Sequence, residues 1–232
     1  MTELQGLIET DRLATLSVNG SDSLFWDGVA NLYTSVIVWI PLAVFAILLL
    51  IKNINAKRLL LALLMVALTV LLCDQLSSTV CKPFFHRLRP TRDPYILDMV
   101  DTVNGYRGGL YGFISSHAAN SFGIATLFMW LVKDKWFTVS VATWAIFNSF
   151  IRTYLGVHFV GDILVGAITG CLLGSFMYWI FKMVTRKDVV RFTHDSKLLY
   201  TKSGFMRSDV FSFMCVLFGT YSVILIGACI IN

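Results

Sequence analysis

Long apolar runs alternate with short polar connections along most of this chain. Six of these runs are close to the roughly 20 residues that an α-helix needs to cross a bilayer. They are Leu32–Ile51, Leu59–Cys81, Ser116–Val132, Trp136–Tyr154, Phe159–Met183 and Val210–Ile231. Only Lys133-Asp134-Lys135 separates the third run from the fourth, which indicates a tight antiparallel hairpin. The pattern predicts an all-α fold, a polytopic membrane helical bundle of six transmembrane helices.

The first 30 residues have a different pattern. Leu4, Leu7 and Ile8 fall on one face of a helix among acidic residues, and Asn19-Gly20 interrupts this segment. A signal peptide is not indicated, because no basic start precedes an apolar core. We expect residues 1–30 to form a short amphipathic segment on the membrane surface, and residues 31–232 to form the six-helix membrane domain.

Composition agrees with a membrane protein. Of the 232 residues, 56% are apolar and only 14% are charged, and the mean hydropathy is +0.72. The apolar fraction is above that of soluble domains and the charged fraction is below it, which indicates an integral membrane protein. The net charge of +5 does not indicate a nucleic-acid partner, because the basic residues lie in short connections between apolar runs. The five cysteines have no C-x-x-C spacing, so neither a zinc site nor a disulfide framework is indicated.

The basic residues predict how the chain is oriented. With six spans, residues 1–30, the loop after Lys82, the Tyr154–Phe159 turn and Asn232 share one side of the membrane. Basic loops stay in the cytoplasm, so the side holding most of the 19 basic residues is cytoplasmic. We therefore expect a cell inner membrane protein whose other side faces the periplasm or the exterior. The basic residues on the cytoplasmic side are Lys52, Lys57, Arg58, Lys133, Lys135, Lys182, Arg186, Lys187, Arg191, Lys197, Lys202 and Arg207.

Three polar clusters fall on the outer side, each at the end of an apolar run. Ionisable groups at the edge of hydrocarbon indicate a functional site. Cations, hydroxyls and imidazoles together suit phosphoryl transfer, because guanidinium and ammonium groups match phosphate oxygens and a helix N-terminus adds a further anion site. The clusters are Lys82-Pro-Phe-Phe-His-Arg-Leu-Arg89-Pro90, then Ser115-Ser116-His117, then Arg152-Thr-Tyr-Leu-Gly-Val-His158-Phe-Val-Gly-Asp162.

The histidines can divide the chemistry between them. If the chain is helical from His158 onward, Asp162 lies one turn away and can hold one imidazole nitrogen. Neutral His158 would then attack phosphorus, and protonated His117 would give a proton to the leaving oxygen. The predicted phosphate-binding residues are Lys82, Arg89, Ser115, Ser116 and Arg152.

Each cluster also has a purely structural interpretation. Lys82, Arg87, Arg89 and Arg92 could form a basic patch for anionic head groups. The paired serines could only cap a helix, and His117 could be a hydrogen-bonded residue of the membrane interface. The Tyr106–Gly112 loop is either a contact for the substrate head group or a plain surface connection.

In order and spacing, the clusters resemble the signature of the type 2 phosphatidic acid phosphatase superfamily of membrane lipid phosphatases. The family pattern K-x6-R-P matches Lys82–Pro90 in full. Its P-S-G-H element corresponds to Ile114–His117, which keeps the serine and the histidine but not the proline and the glycine. Its S-R-x5-H-x3-D element corresponds to Ile151–Asp162, with isoleucine in place of the first serine.

The resemblance implies a helical bundle in which His158 forms a transient phosphohistidine, Asp162 supports it and His117 is the general acid. It implies neither a metal nor another cofactor. The partners would be the bilayer and a lipid phosphate, such as undecaprenyl diphosphate, phosphatidylglycerol phosphate or a lipid A phosphate. Two alternatives remain open, a phosphotransferase with the same phosphohistidine and a non-catalytic lipid-phosphate transporter. Ser116 in place of glycine still supplies a backbone N–H but narrows the expected phosphate pocket.

The orientation gives a first prediction. A reporter that is active only in the cytoplasm, fused after Asn232, is expected to be inactive, because Asn232 lies on the predicted outer side. The same reporter inserted between Lys133 and Lys135 is the positive control. An active fusion at Asn232 would contradict the predicted topology.

Overall fold

The computed structural model describes residues 3–21, 23–185 and 196–231. Within these ranges the regular structure is helical, and strand pairing is limited to two isolated bridges, so the all-α prediction is confirmed. A π-helical stretch, Gln75–Cys81, joins α4 to α5. The helices are α1 Glu3–Leu16, α2 Leu24–Thr34, α3 Val36–Asn53, α4 Ala56–Asp74, α5 Lys82–Phe85, α6 Ser116–Val132, α7 Lys135–Tyr154, α8 Val160–Val184, α9 Ser196–Leu199 and α10 Arg207–Ile231.

The first apolar run is not one helix. Ser35 has an extended conformation and separates α2 from α3, so the prediction of a continuous helix over Leu32–Ile51 is wrong. Trp39 stabilises the break, because its indole N–H donates to the carbonyl of Tyr33 at 2.8 Å. Such a side-chain bond satisfies a helix-end carbonyl that would otherwise have no partner.

Four helical segments in the described part of the chain are long and apolar enough to cross a membrane. They are Val36–Asn53, Ala56–Phe85, Val160–Val184 and Arg207–Ile231. The chain is therefore an integral, multi-pass membrane protein. Helix α6 has only 17 residues and lies inside the bundle, where it contacts α4, α7 and α8. Because its neighbours cover much of its surface, α6 can carry serines, an asparagine and a histidine.

Helices α6 and α8 approach each other closely along a line of small residues. Gly170 lies against the backbone of Ala119 and Gly123, and Gly174 lies against the carbonyl of Gly123. A Cβ atom at either α8 position would collide with that backbone. Small residues at four-residue spacing allow this kind of contact between membrane helices. The contact keeps the beginnings of α6 and α8 side by side.

Helix α1 has one exposed apolar side and one side attached to the rest of the protein. Leu4, Leu7 and Leu13 are exposed. On the attached side, the Thr15 hydroxyl accepts a hydrogen bond from the N–H of Val160 at 3.1 Å. The segment expected to lie on the membrane surface thus also contacts the first turn of α8.

The α6–α8 contact gives a second prediction. In Gly170→Ala the new methyl group meets the Ala119 carbonyl, so the helices must separate and we expect a loss of about 1–3 kcal/mol in unfolding free energy. Gly219→Ala is the matched control, because no atom of the described residues lies within 4 Å of the Cβ position of Gly219 in α10. Thermal unfolding in detergent should give a lower midpoint for Gly170→Ala alone. Equal midpoints for both variants would contradict the close packing.

Candidate active site

The three polar clusters meet at one end of the bundle, where α6 and α8 begin and α7 ends. The N–H of Ser115 donates to the carbonyl of Asp162 at 3.1 Å, which joins the starts of α6 and α8. Arg89 Nη1 donates to the carbonyl of Val157 at 3.3 Å, which brings the first cluster to the third. The structure thus brings together all the residues that the sequence analysis selected.

His158 lies just before α8 rather than on it. The helix begins at Val160 after an extended Phe159, so the assumption of a helix from His158 onward is wrong. Asp162 reaches back over this first turn and accepts a hydrogen bond from the N–H of Phe159 at 3.1 Å. Its Oδ2 atom lies 3.5 Å from Nδ1 of His158, slightly longer than a hydrogen bond. Catalytic hydrogen bonds often shorten only when substrate binds.

Burial favours the neutral form of His158. The residue is only 2% exposed, and Asp162 is fully buried. Burial lowers the pKa of His158, the Asp162 carboxylate opposes this shift, and the positive charges of Arg89 and Lys82 add to it. A neutral imidazole whose Nδ1 faces Asp162 leaves Nε2 available as a nucleophile.

The paired serines have different contacts. The Ser115 side chain is buried and caps α6 by accepting from the N–H of Ala118 at 3.4 Å. The Ser116 hydroxyl accepts from Nζ of Lys82 at 2.7 Å and from the Ser77 hydroxyl at 2.7 Å. These contacts hold Lys82 in place, and the π-helical turn supplies the Ser77 contact. The Ser116 side chain, which replaces the glycine of the family motif, therefore positions the Lys82 ammonium group.

The start of α6 is the better anion site of the two helix N-termini. The N–H groups of Ser116 and His117 have no hydrogen-bond partner within the described ranges. In contrast, side chains of this chain already accept from the first N–H groups of α8. Unpaired N–H groups at a helix N-terminus attract phosphate oxygens. The free backbone groups and the nearby cations would share one phosphate.

Backbone groups hold Arg89 rigidly. Its Nε donates to the carbonyl of Tyr111 at 3.1 Å, and Leu88 pairs with Tyr111 as an isolated antiparallel bridge. Gly108 and Gly112 lie so close to the Arg89 side chain that a Cβ atom at either position would press on it. The Tyr106–Gly112 loop thus supports the site, a role that its sequence alone does not indicate.

Arg152 and His117 border a pocket of about 350 Å³ at the same end of the bundle. Arg152 is 8% exposed, and its Nε atom has no partner within the described part of the chain. The side chain of Tyr106 lies beside it. The electrostatic influence of Arg152, His158, Lys82 and Arg89 all reaches His117. The two histidines therefore share one site with all three predicted cations.

Comparison with known proteins decides the family. The sequence profile described as PAP2 superfamily matches residues 58–186, a segment that includes all three clusters. The chain belongs to the PAP2 superfamily.

Relatives of this PAP2 protein are bacterial lipid phosphatases. A lipid A 4'-phosphatase of Bacteroides thetaiotaomicron is 35% identical over 208 residues, which cover 89% of this chain and 91% of the relative. A lipid A 4'-phosphatase of Porphyromonas gingivalis is 35% identical over 178 residues, which cover 77% of this chain and 75% of the relative. The chain is thus a membrane lipid phosphatase, which removes the transporter alternative.

A solved structure supports the fold. The crystal structure of a PAP2 type phosphatidylglycerolphosphate phosphatase from Bacillus subtilis is similar, with a TM-score of 0.55 and 22% identity. The similarity covers 83% of this chain and 90% of that chain.

Two residues of this PAP2 site were not selected from the sequence. The sequence indicates for Arg87 only a place in a basic patch for anionic head groups, yet its guanidinium donates to the buried Asp162 at 2.9 Å. Asp11 belongs to the N-terminal segment, yet it accepts from Arg87 at 2.6 Å. Arg87 could have been suspected, because it lies within the first cluster. Asp11 could not, because the sequence near it contains no sign of the site.

Gly112 gives a third prediction. A Cβ atom there would lie 2.8 Å from Oδ2 of Asp162 and 3.3 Å from Cγ of Arg89, so Gly112→Ala displaces both side chains. We expect kcat/KM for a lipid phosphate to fall at least tenfold, since misplacement by about 1 Å can cost 100-fold. Gly109→Ala in the same loop is the control, because within the described part of the chain nothing lies within 4 Å of its Cβ position. Unchanged phosphate release by Gly112→Ala would contradict the tight packing.

Proposed function

We propose that this protein removes a phosphate from the lipid A head group, at the 4' position. The observation that carries this proposal is the 35% identity to a lipid A 4'-phosphatase across 91% of that relative's length. A match over nearly the whole chain includes the loops around the site as well as the catalytic motifs.

The pocket beside His117 supports a sugar as the leaving group. A general acid lies on the side of the leaving oxygen, so the organic part of the substrate should occupy the space next to His117. Asn31, Thr34, Asn104 and Tyr106 supply neutral hydrogen-bonding groups there. The volume of about 350 Å³ is near the lower end for ligand pockets. Such a lining suits a hydroxylated ring better than a polyprenyl chain.

The proposed reaction has two steps. Nε2 of His158 attacks phosphorus, the bond from phosphorus to the sugar oxygen breaks, and His117 gives that oxygen a proton. Water then attacks the phosphohistidine, His117 takes a proton back, and the P–N bond breaks to release phosphate. Lys82, Arg89, Arg152 and the first N–H groups of α6 would hold the phosphoryl oxygens. Asp162 would stabilise the positive charge on His158.

The proposal also includes six membrane crossings and an outward-facing site. Helices α6 and α7 would be the two further spans, and bundle neighbours compensate for their lower hydropathy. The charge bias of the loops supports an inner-membrane location with the site facing the periplasm or the exterior. The exposed leucines of α1 would then lie on the outward-facing surface of the inner membrane. Asn232, Arg186, Lys187 and Arg191, used for the orientation, lie outside the described residues.

A phosphate-release assay tests the function, and this is the fourth prediction. Purified protein is expected to release phosphate from lipid A that carries phosphates at both the 1 and the 4' positions, and mass spectrometry should show loss at 4'. His158→Ala should reduce release more than 1,000-fold, because it removes the nucleophile, and His117→Ala should retain slow formation of a phosphorylated enzyme.

The matched control in this assay is His86→Ala. His86 lies in the first cluster, has no proposed role in the reaction, and packs its ring edge-to-face on the ring of Tyr111. Full turnover by His158→Ala would reject the mechanism. Release from undecaprenyl diphosphate but not from lipid A would reject the substrate, and transfer of the phosphate to another lipid would favour the phosphotransferase.

A further inference from the structure

Arg87 lies between two carboxylates. Its Nη1 donates to Oδ1 of Asp162 at 2.9 Å, and its Nη2 donates to Oδ2 of Asp11 at 2.6 Å. The guanidinium also stacks over the ring of Phe159, with Cζ 4.1 Å from the ring centroid. These contacts join three distant segments: helix α1, the first cluster and the first turn of α8. They continue to His158 through Asp162.

We propose that Asp11 and Arg87 are positioning residues for the nucleophile His158. They act through Asp162, because they fix the orientation of its carboxylate and set the net charge of the three side chains. This inference rests on the proposed role of His158, but it assigns the N-terminal helix a part in the reaction that none of the three motifs supplies. Neither residue is one of the proposed phosphate-binding groups.

The charges explain why both residues are needed. Asp162 with Arg87 alone would form a pair with no net charge. Such a pair would stabilise a positive His158 less than a free carboxylate does. The second carboxylate, Asp11, restores one net negative charge to the group. Asp11 and Asp162 have like charges, so without Arg87 between them they would repel each other. With the Arg87 guanidinium between the two carboxylates, the three side chains carry one net negative charge next to His158.

The geometry explains why the central cation is an arginine. Two N–H groups of the same guanidinium donate to two different carboxylates, and the planar side chain stacks on Phe159. A lysine is a single point charge and cannot reproduce this fork. Asp11 has a second contact, because its Oδ1 accepts from the N–H of Gly161 at 2.8 Å. A Cβ atom at Gly161 would meet the Asp11 carboxylate, so a larger residue there would displace it.

Other charges face His158 directly. Asp162 lies on its Nδ1 side, and the electrostatic influence of Arg89 and Lys82 reaches it from the first cluster. His117 interacts with it from α6. Asp11 and Arg87 form the next layer beyond Asp162. Changing them alters the charge near His158 without removing a group that faces it.

The fifth prediction uses the opposite charges of the two residues. Asp11→Asn keeps an oxygen for the N–H of Gly161 but removes a negative charge that favours the protonated form of His158. The acid limb of the pH profile of kcat/KM, where His158 becomes protonated, should therefore move to lower pH. Arg87→Gln removes a positive charge, so the limb should move to higher pH. Each shift should be about half a pH unit or more, as expected for a nearby charge. In both variants kcat should fall about 10-fold to 100-fold, as it does for residues that orient another group, with KM within about threefold.

Two further variants separate charge from attachment of α1. Arg87→Lys keeps the charge and loses the fork, so kcat should fall while the acid limb stays in place. Arg12→Gln is the matched control, because Arg12 attaches the same helix to Asp93, at 3.0 and 3.1 Å, without touching the site. It should keep the wild-type kcat and pH profile. Thermal unfolding of each variant checks that the protein is folded. All variants are assayed with the same substrate, so ionisation of the substrate affects every pH profile equally.

The outcomes separate this inference from the proposed function. If His158→Ala is inactive but Asp11→Asn and Arg87→Gln keep both the wild-type kcat and its acid limb, only the positioning role is overturned. Shifts of both variants in the same direction, or an equal loss in Arg12→Gln, would also overturn it, since either result indicates a general structural effect. If His158→Ala remains active, the proposed function itself fails.

Discussion

The contact between the backbones of α6 and α8 is the constraint on which the site depends. Gly170 and Gly174 allow the two helices to touch without intervening side chains, and the carbonyl of Asp162 then meets the N–H of Ser115. A helix N-terminus carries a partial positive charge, so the contact places two such ends together. Side chains of the protein occupy the start of α8, whereas the first N–H groups of α6 have no partner among the residues that the structure describes.

The two helix ends differ in role: the start of α8 holds His158 in place, and the start of α6 offers N–H groups to a substrate. At the start of α8, the side chains of Asp162, Thr15 and Asp11 accept from consecutive N–H groups and hold the segment before the helix in place. His158 belongs to that segment, so its ring is fixed by the backbone on which it sits. At the start of α6, no group in the described ranges accepts from the N–H groups of Ser116 and His117. A phosphoryl group between the helix ends would face a fixed nucleophile on one side and free donors on the other.

The site holds several charges at the edge of an apolar bundle, and each is stabilised by contacts formed within the chain. Lys82 is held by Ser116, Arg89 by the Tyr111 and Val157 carbonyls, and Asp162 by Arg87. Charges fixed in this way need little rearrangement when the charge on the substrate develops, which is the basis of electrostatic catalysis. The serine that replaces the family glycine shows how a departure from the motif can create a contact.

The sequence by itself determined the helical class, the apolar runs and the residues of the three clusters. These features depend on local composition and short spacing, which a linear pattern contains. The linear pattern did not predict the break at Ser35, because the hydrogen bond from Trp39 to the Tyr33 carbonyl depends on a particular side-chain geometry. Only the tertiary structure decided that Asp11 contacts Arg87, that Gly112 packs against Asp162 and that the Ser116 hydroxyl holds Lys82. Each of these contacts joins residues far apart in the chain, so its partners are defined only once the helices have packed.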